Sequence, residues 1–140
     1  MNFEMFFKQN AVEKENKKII ISERFKDEEG NPAKFEIRAI TAAEDQILRD
    51  TCTILKEIPN KKGQFVPTLN ATKYISMLCA ACVVYPELGN AALQDSYGVK
   101  TKPELLTAML LPAEYQDLAT EVQNINGFKT QEDLVEEAKN

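Results

Sequence analysis

The most apolar stretch of the chain is residues 74–85, where Ser76 is the single clearly polar residue. A helix that is apolar on nearly all sides is usually buried, and this stretch is well short of the ~20 residues that span a bilayer. We therefore predict a central helix that begins near Asn70 or Thr72 and is stopped by Pro86. A buried strand ending in Val83–Tyr85 is the alternative, because periodicity does not separate the two structures in a fully apolar run.

Capping patterns mark the beginnings of further helices. Thr41 with Glu44 and Thr101 with Glu104 are capping boxes. The first predicts a helix that runs to about residue 54 or 55, and the second predicts one that continues to about Leu110. The predicted buried stripe of the first helix is Ile47, Leu48, Thr51, Ile54 and Leu55.

Two more helices are predicted in the second half of the chain. Asn90 can cap a short helix over residues 91–97 that ends at Gly98. Pro112 begins an amphipathic helix that ends at Gly127, with apolar residues at three- and four-residue steps. These residues are Tyr115, Leu118, Ala119, Val122 and Ile125.

Residues 18–25 are rich in β-branched side chains, and residues 35–40 alternate apolar with polar positions. A polar turn over residues 26–32 separates them, so we predict a β-hairpin whose apolar face rests on the helices. Residues 57–67, with two prolines, one glycine and two lysines, read as a loop. The predicted fold class is α+β, an N-terminal β-hairpin packed on a mainly α-helical domain of about five helices.

The N-terminal segment of the chain is aromatic and the C-terminal segment is acidic. Phe3, Phe6 and Phe7 fall at helical spacing and form one aromatic face, which either packs on the body or serves as a partner-binding arm. We predict one domain over residues 1–128 that includes this arm. Residues 129–140 are an acidic, helix-prone tail that is frayed, docked or folds on a partner.

Charge and composition exclude several classes of function. The net charge of −5 arises entirely from residue 111 onward, so nucleic-acid binding has no global electrostatic support. The chain has no histidine, which removes histidine-dependent nucleophiles and histidine-ligated metal sites. Cys79 and Cys82 have redox-motif spacing but lie in the apolar run, where small core residues are the better interpretation. We predict no catalytic residues, no cofactor, no metal and no membrane segment, which leaves a binding, assembly or structural protein.

A resemblance to a known family runs through nearly the whole chain with order and spacing kept. The sequence resembles the XkdN-like tail assembly chaperone family of PBSX-type phages and prophages. The segments that carry the resemblance are residues 25–32, 36–41, 80–86, 93–99, 109–115 and 122–128.

The resemblance implies a non-catalytic role in phage tail morphogenesis. Such proteins are expected to bind the tape measure protein and to help recruit tail tube subunits, in the cytoplasm of the bacterial host and outside the mature virion. A longer product made by ribosomal frameshifting near the chain end is common in the family. The alternatives are a structural minor tail or connector component of the particle, and a small redox protein that uses Cys79 and Cys82.

A chaperone of this kind needs exposed apolar surface. The candidate partner-binding surfaces are the N-terminal aromatic face, the edge of the hairpin and the last amphipathic helix, and self-association into a homo-oligomer stays open. The candidate residues are Phe3, Phe6, Phe7, Tyr115, Leu118 and Val122.

Overall fold

The fold is known from a computed structural model, which describes residues 2–128. After two short 3-10 turns at the N-terminus, the chain forms helices and short antiparallel strands, which confirms the α+β class. In chain order the described elements are β1 (Lys17–Ile19), β2 (Phe35–Ile37), α1 (Ala42–Thr51), β3 (Thr53–Glu57), β4 (Phe65–Leu69), α2 (Ala71–Cys82), β5 (Val83–Tyr85), α3 (Ala91–Ser96), α4 (Lys102–Met109) and α5 (Pro112–Ile125).

Helix α2 is the centre of the fold, as predicted. The Asn70 side chain caps it by accepting a hydrogen bond from the Lys73 backbone N–H at 3.1 Å. The helix packs against α1, α4 and α5, and Leu78, Cys79 and Cys82 are fully buried. The strand alternative holds only for the last three residues of the apolar run, which form β5.

The predicted N-terminal hairpin is present and forms part of a three-stranded sheet. Strand β2 lies between β1 and β5 and pairs antiparallel with both. Phe35 and Ile37 of β2 enter the core. Both strands are shorter than predicted, with three residues each. Beyond β1, the side chain of Arg24 contacts Glu114 of α5.

The structure corrects the prediction for residues 52–69. Helix α1 begins at the Thr41–Glu44 capping box as expected, but it ends at Thr51. The chain then forms β3, which pairs antiparallel with β4, so the predicted loop is reduced to the connection between two strands. Ile54 and Leu55 are therefore exposed strand residues, Ile47 is also exposed, and Leu48 is the residue of the predicted stripe that packs on the core.

A physical reason for this correction lies in the β-branched residues around the helix end. The hydroxyls of Thr51 and Thr53 donate to the backbone oxygens of Ile47 and Arg49, at 2.8 and 2.7 Å. Such bonds compete with the helical ladder. Pairing with β4 then gives the next five residues a complete partner strand, which local propensity alone did not reveal.

The C-terminal helices begin and end where the sequence predicts. Asn90 and Thr101 cap α3 and α4 through their side chains. Gly127, at φ 81°, ends α5, and the Phe128 N–H donates to the Gln123 oxygen at 3.0 Å. Leu105 and Leu106 of α4 are fully buried in the core that α2 and α5 complete. The predicted acidic tail, residues 129–140, lies outside the described residues.

Candidate functional site

The N-terminal arm, residues 2–12, presents exposed aromatic side chains to solvent. Asn2 accepts from the Glu4 backbone N–H at 2.9 Å, and the Asn10 side chain donates to the Glu4 oxygen at 2.7 Å. In the part of the chain that the structure describes, the hydrogen bonds of the arm therefore close within the arm. Its exposed large apolar residues are Phe3, Met5, Phe6, Phe7 and Val12.

The point where the arm joins the body is fixed by polar contacts. Lys17 forms an ion pair with Glu121 of α5, with 2.7 Å between Nζ and Oε2. Asn16 donates to the side chain of Glu36 in β2 at 2.9 Å. Phe6 is 77% exposed, so these contacts hold the base of the arm while its aromatic rings stay free. The rings are therefore exposed and not packed in the core, and their role in binding a partner stays a prediction.

Tyr115 lines an open groove beside α2, α4 and α5. The groove has a volume of about 650 Å³ and mostly apolar walls. Ile75 and Ser76 of α2 and Thr107 of α4 line the groove together with Tyr115, and Lys73 lies at the α2 N-terminus. Burial raises the pKa of the Tyr115 hydroxyl, which a hydrogen bond with Ser76 partly offsets. A half-buried aromatic ring in a groove whose exposed surface is mostly apolar suits an apolar side chain of a partner.

Leu118 and Val122 do not line this groove. Both side chains are fully buried and pack in the core with α2. They leave no exposed surface for a partner in this fold. The three- and four-residue spacing identified the apolar face of α5, but it does not distinguish a face that packs in the protein's own core from one that binds a partner.

A third apolar surface was missed by the sequence reading. The β3–β4 ribbon, residues 53–69, exposes large apolar side chains on both of its faces. The signal was available, since Phe65 and Val66 are strand formers. The two prolines and the glycine around them led to the loop interpretation.

One polar cluster joins α1 to α2. The Tyr74 hydroxyl donates to Asp45, and the Arg49 Nε donates to the same carboxylate at 2.8 Å. The Arg49 guanidinium also lies over the Tyr74 ring, 4.6 Å from its centroid. Burial and the Asp45 hydrogen bond raise the pKa of Tyr74 to about 12, so the phenol stays protonated. The cluster is a structural tie between two helices.

The cysteines lie in the core. Cys52, Cys79 and Cys82 are free thiols with no exposed surface. Burial raises the pKa of Cys79 to about 12 and also raises that of Cys82. Both are therefore protonated at neutral pH, which is the behaviour of small core residues.

Residues 2–128 contain neither a metal-binding cluster nor a membrane-spanning helix. No group of three or more histidine, cysteine, aspartate or glutamate residues is placed to hold a metal ion there. None of the helices in that range has the length and apolar character needed to cross a bilayer.

The described surface therefore offers apolar contact sites on an α+β body, the kind of surface with which proteins bind proteins. The chain belongs to the XkdN-like phage tail assembly chaperone family, whose family model matches residues 3–139. This membership confirms the resemblance found in the sequence. The family is one of phage assembly chaperones.

Two relatives match this chain over nearly its full length. The chain is 29% identical to the phage-like element PBSX protein XkdN of Bacillus subtilis (strain 168), over 96% of this chain and 91% of that protein. It is 30% identical to YqbN of the same strain, with the same coverage. The crystal structure of YqbN superposes with a TM-score of 0.77, over 92% of this chain and 98% of the other. Identity over that superposition is 22%, so the structural likeness supports the fold alone.

Proposed function

We propose that this tail assembly chaperone binds the tape measure protein in the cytoplasm of the bacterial host and helps to recruit tail tube subunits to it. The observation that carries the proposal is the exposure of three phenylalanines of the N-terminal arm, Phe3, Phe6 and Phe7. Three large rings held in solvent at one end of a folded body are unusual unless a partner covers them.

The Tyr115 groove is the second proposed contact. Its walls are mostly apolar, and its open shape admits the side chains of an extended or helical client. Arm and groove differ in kind, because the arm is a short segment that can move with its client and the groove is part of the rigid body. We assign client capture to the arm and client seating to the groove.

Co-expression with the tape measure protein of the same phage or prophage tests this function. A tape measure protein that precipitates alone should become soluble and co-elute with the chaperone in size-exclusion chromatography with light scattering. A tape measure protein that stays insoluble and never co-elutes contradicts the proposal. Adding the tail tube protein to the co-expression tests recruitment, which predicts a complex of all three chains.

Alanine at Phe3, Phe6 and Phe7 together should abolish co-elution and leave the unfolding transition unchanged, because these rings are exposed. The matched control is alanine at Ile20, Ile47 and Val84, which are also exposed and lie on the body. Loss of co-elution in the arm variant alone supports the arm. Equal loss in both variants would mean that the contact is unspecific.

Mass spectrometry of purified particles separates a chaperone from a tail component. The proposal predicts that the protein is absent from mature tails. A fixed copy number in the particle would instead favour a structural minor tail or connector role.

A further inference from the structure

Within residues 2–128, the β3–β4 ribbon is a two-stranded sheet without a covering layer. All of β3 is exposed, and so are Phe65, Val66 and Pro67 of β4. Cross-strand pairing places Leu55, Phe65 and Pro67 on one face, and Ile54 and Val66 on the other. Leu55 is 69% exposed and Phe65 56%. An isolated hairpin is marginal in water, and a third strand is the usual remedy.

The two edges of this ribbon differ. The Ile58 N–H donates to the Gln64 oxygen at 2.9 Å, and the Asn70 N–H donates to the Cys52 oxygen at 2.8 Å. Hydrogen-bonded and non-hydrogen-bonded pairs alternate along an antiparallel ladder. The pairs that include Thr53, Leu55 and Glu57 are therefore non-hydrogen-bonded, and these three residues point their backbone N–H and C=O groups away from β4.

Only the β3 edge can accept a further strand without interruption. Within residues 2–128, β3 pairs with β4 alone, so its outward groups face solvent. The outward position opposite Leu55 on β4 is Pro67, which has no N–H to donate. Proline on an outer strand is a common way to prevent further pairing.

We propose that β3 pairs antiparallel with β3 of a second copy of this chain, about a two-fold axis at Leu55, to join two ribbons into one four-stranded sheet. The interface uses the same edge of both copies, and Pro67 interrupts both outer edges. The assembly therefore closes as a dimer and does not grow into a filament. This inference does not depend on the identity of the client.

The side chains of β3 fit the register with its axis at Leu55 better than the two neighbouring registers. Outward-pointing residues must oppose each other, so each change of register slides one strand by two residues and moves the two-fold axis by one residue. With Leu55 on the axis, Lys56 opposes Ile54 of the second copy and Glu57 opposes its Thr53. An axis at Lys56 would oppose two lysines, which is destabilising, and an axis at Ile54 would leave Glu57 without a pairing partner.

Charge also favours a second copy as the occupant. The ribbon carries three lysines and one glutamate in a chain whose net charge is −5. Antiparallel pairing directs the tip lysines, Lys61 and Lys62, toward the C-terminal end of α1 in the other copy. That end carries the exposed Asp50 and the negative pole of the helix dipole, and the charge of its one basic residue, Arg49, is paired with Asp45 of the same helix.

The contact is small. A five-residue strand is about 17 Å long, and its edge buries far less than the ~800 Å² per partner of a standard interface. We therefore expect a weak dimer in rapid exchange, whose population rises with protein concentration and falls with added salt.

Disulfide trapping tests the register directly. The native cysteines are buried, so Leu55→Cys adds an exposed thiol at the axis. In this register the two Leu55 residues form a hydrogen-bonded antiparallel pair, in which opposed Cα atoms lie ~5.5 Å apart, a distance that suits a disulfide. Under mild oxidation Leu55→Cys should form covalent dimer at least about tenfold faster than Ile54→Cys or Val66→Cys, because the axis brings like residues together at high effective concentration. Equal rates at the three positions would overturn the proposal.

Analytical ultracentrifugation of the full chain provides the second test. The average mass of the wild-type protein should rise with concentration, whereas Leu55→Pro should stay monomeric, because it removes one outward N–H and leaves the β3–β4 ladder complete. Circular dichroism and thermal unfolding verify that the variant is folded, and Leu55→Val, which keeps the N–H, should still associate. A wild-type protein that is monomeric throughout overturns the proposal. A monomer whose Leu55 amide resists hydrogen exchange would assign this edge to another segment of the same chain.

Discussion

Arg24 and Glu114 form an ion pair that joins the end of the N-terminal hairpin region to the first turn of α5. The distance between Arg24 Nη2 and Glu114 Oε1 is 2.6 Å, and the same Nη2 donates to the Met109 oxygen at 2.8 Å. Glu114 also accepts from the Leu111 backbone N–H at 2.8 Å, so one carboxylate caps the helix and holds the arginine.

This double role predicts an acid-dependent loss of stability. The hydrogen bond from Arg24, followed by those from Ser22 and Leu111, lowers the pKa of Glu114 to about 2 from an ordinary value of 4.5. Because the folded pKa is the lower one, the contribution is complete above pH 4.5 and is lost as pH falls toward 2. Urea unfolding of the wild-type protein and of Glu114→Gln across this pH range should show that the difference between their free energies of unfolding decreases as pH falls. A difference that is constant with pH would contradict the assignment.

Tyr74→Phe tests the tie between α1 and α2. The substitution removes the hydroxyl that donates to Asp45 and leaves the ring under Arg49. A lost hydrogen bond to a charged group predicts a decrease of about 1.5–3 kcal/mol in the free energy of unfolding. Tyr85→Phe is the control, since Tyr85 is exposed and the same chemical change there should have almost no effect. Equal effects at both positions would show that the Tyr74 hydroxyl contributes nothing specific.

The parts of the fold that depend on local chemistry could be predicted from the sequence. Thr41, Asn90 and Thr101 cap the helices that they were expected to cap, because a capping bond involves residues only three apart. The fully apolar central helix was equally visible, since its burial does not depend on which neighbour covers it. The β3–β4 ribbon was missed, because prolines and a glycine surround its strand formers Phe65 and Val66, and because Thr53 gains its strand partner sixteen residues later, at Leu69.

The same distinction between local and long-range contacts applies to the candidate site. The phenylalanines of the arm were identified from their spacing, but the predicted single helical face is not formed, because Phe7 has an extended backbone between two 3-10 turns. Tyr115 and Leu118 have the same status in the sequence, yet one lines a groove and the other is buried under α2. Only the packing of α5 on the core separates them, and that packing depends on residues far apart in the chain.

Alanine substitutions in α5 should separate these two roles. Leu118→Ala removes a fully buried side chain and should lower the free energy of unfolding by about 2–5 kcal/mol. Tyr115→Ala should affect the fold less and weaken client binding more, as its ring is half exposed in the groove. Chemical denaturation and co-elution with the tape measure protein measure the two effects. Folded Leu118→Ala protein that fails to bind, beside Tyr115→Ala protein that binds normally, would reverse the assignment.

The buried cysteines predict that thiol reagents report unfolding. Only the thiolate reacts, and a pKa of about 12 leaves roughly one Cys79 in ten thousand ionised at pH 8. Native protein treated with a chromogenic disulfide reagent should therefore show almost no fast reaction, and denaturant should release three equivalents, one for each cysteine of the chain. Thr120→Cys, on the exposed side of α5, is the control and should add one fast equivalent without denaturant. A fast native reaction at Cys79 or Cys82 would restore the redox alternative, because a reactive thiol needs both access and a lowered pKa, and the core position of these residues provides neither.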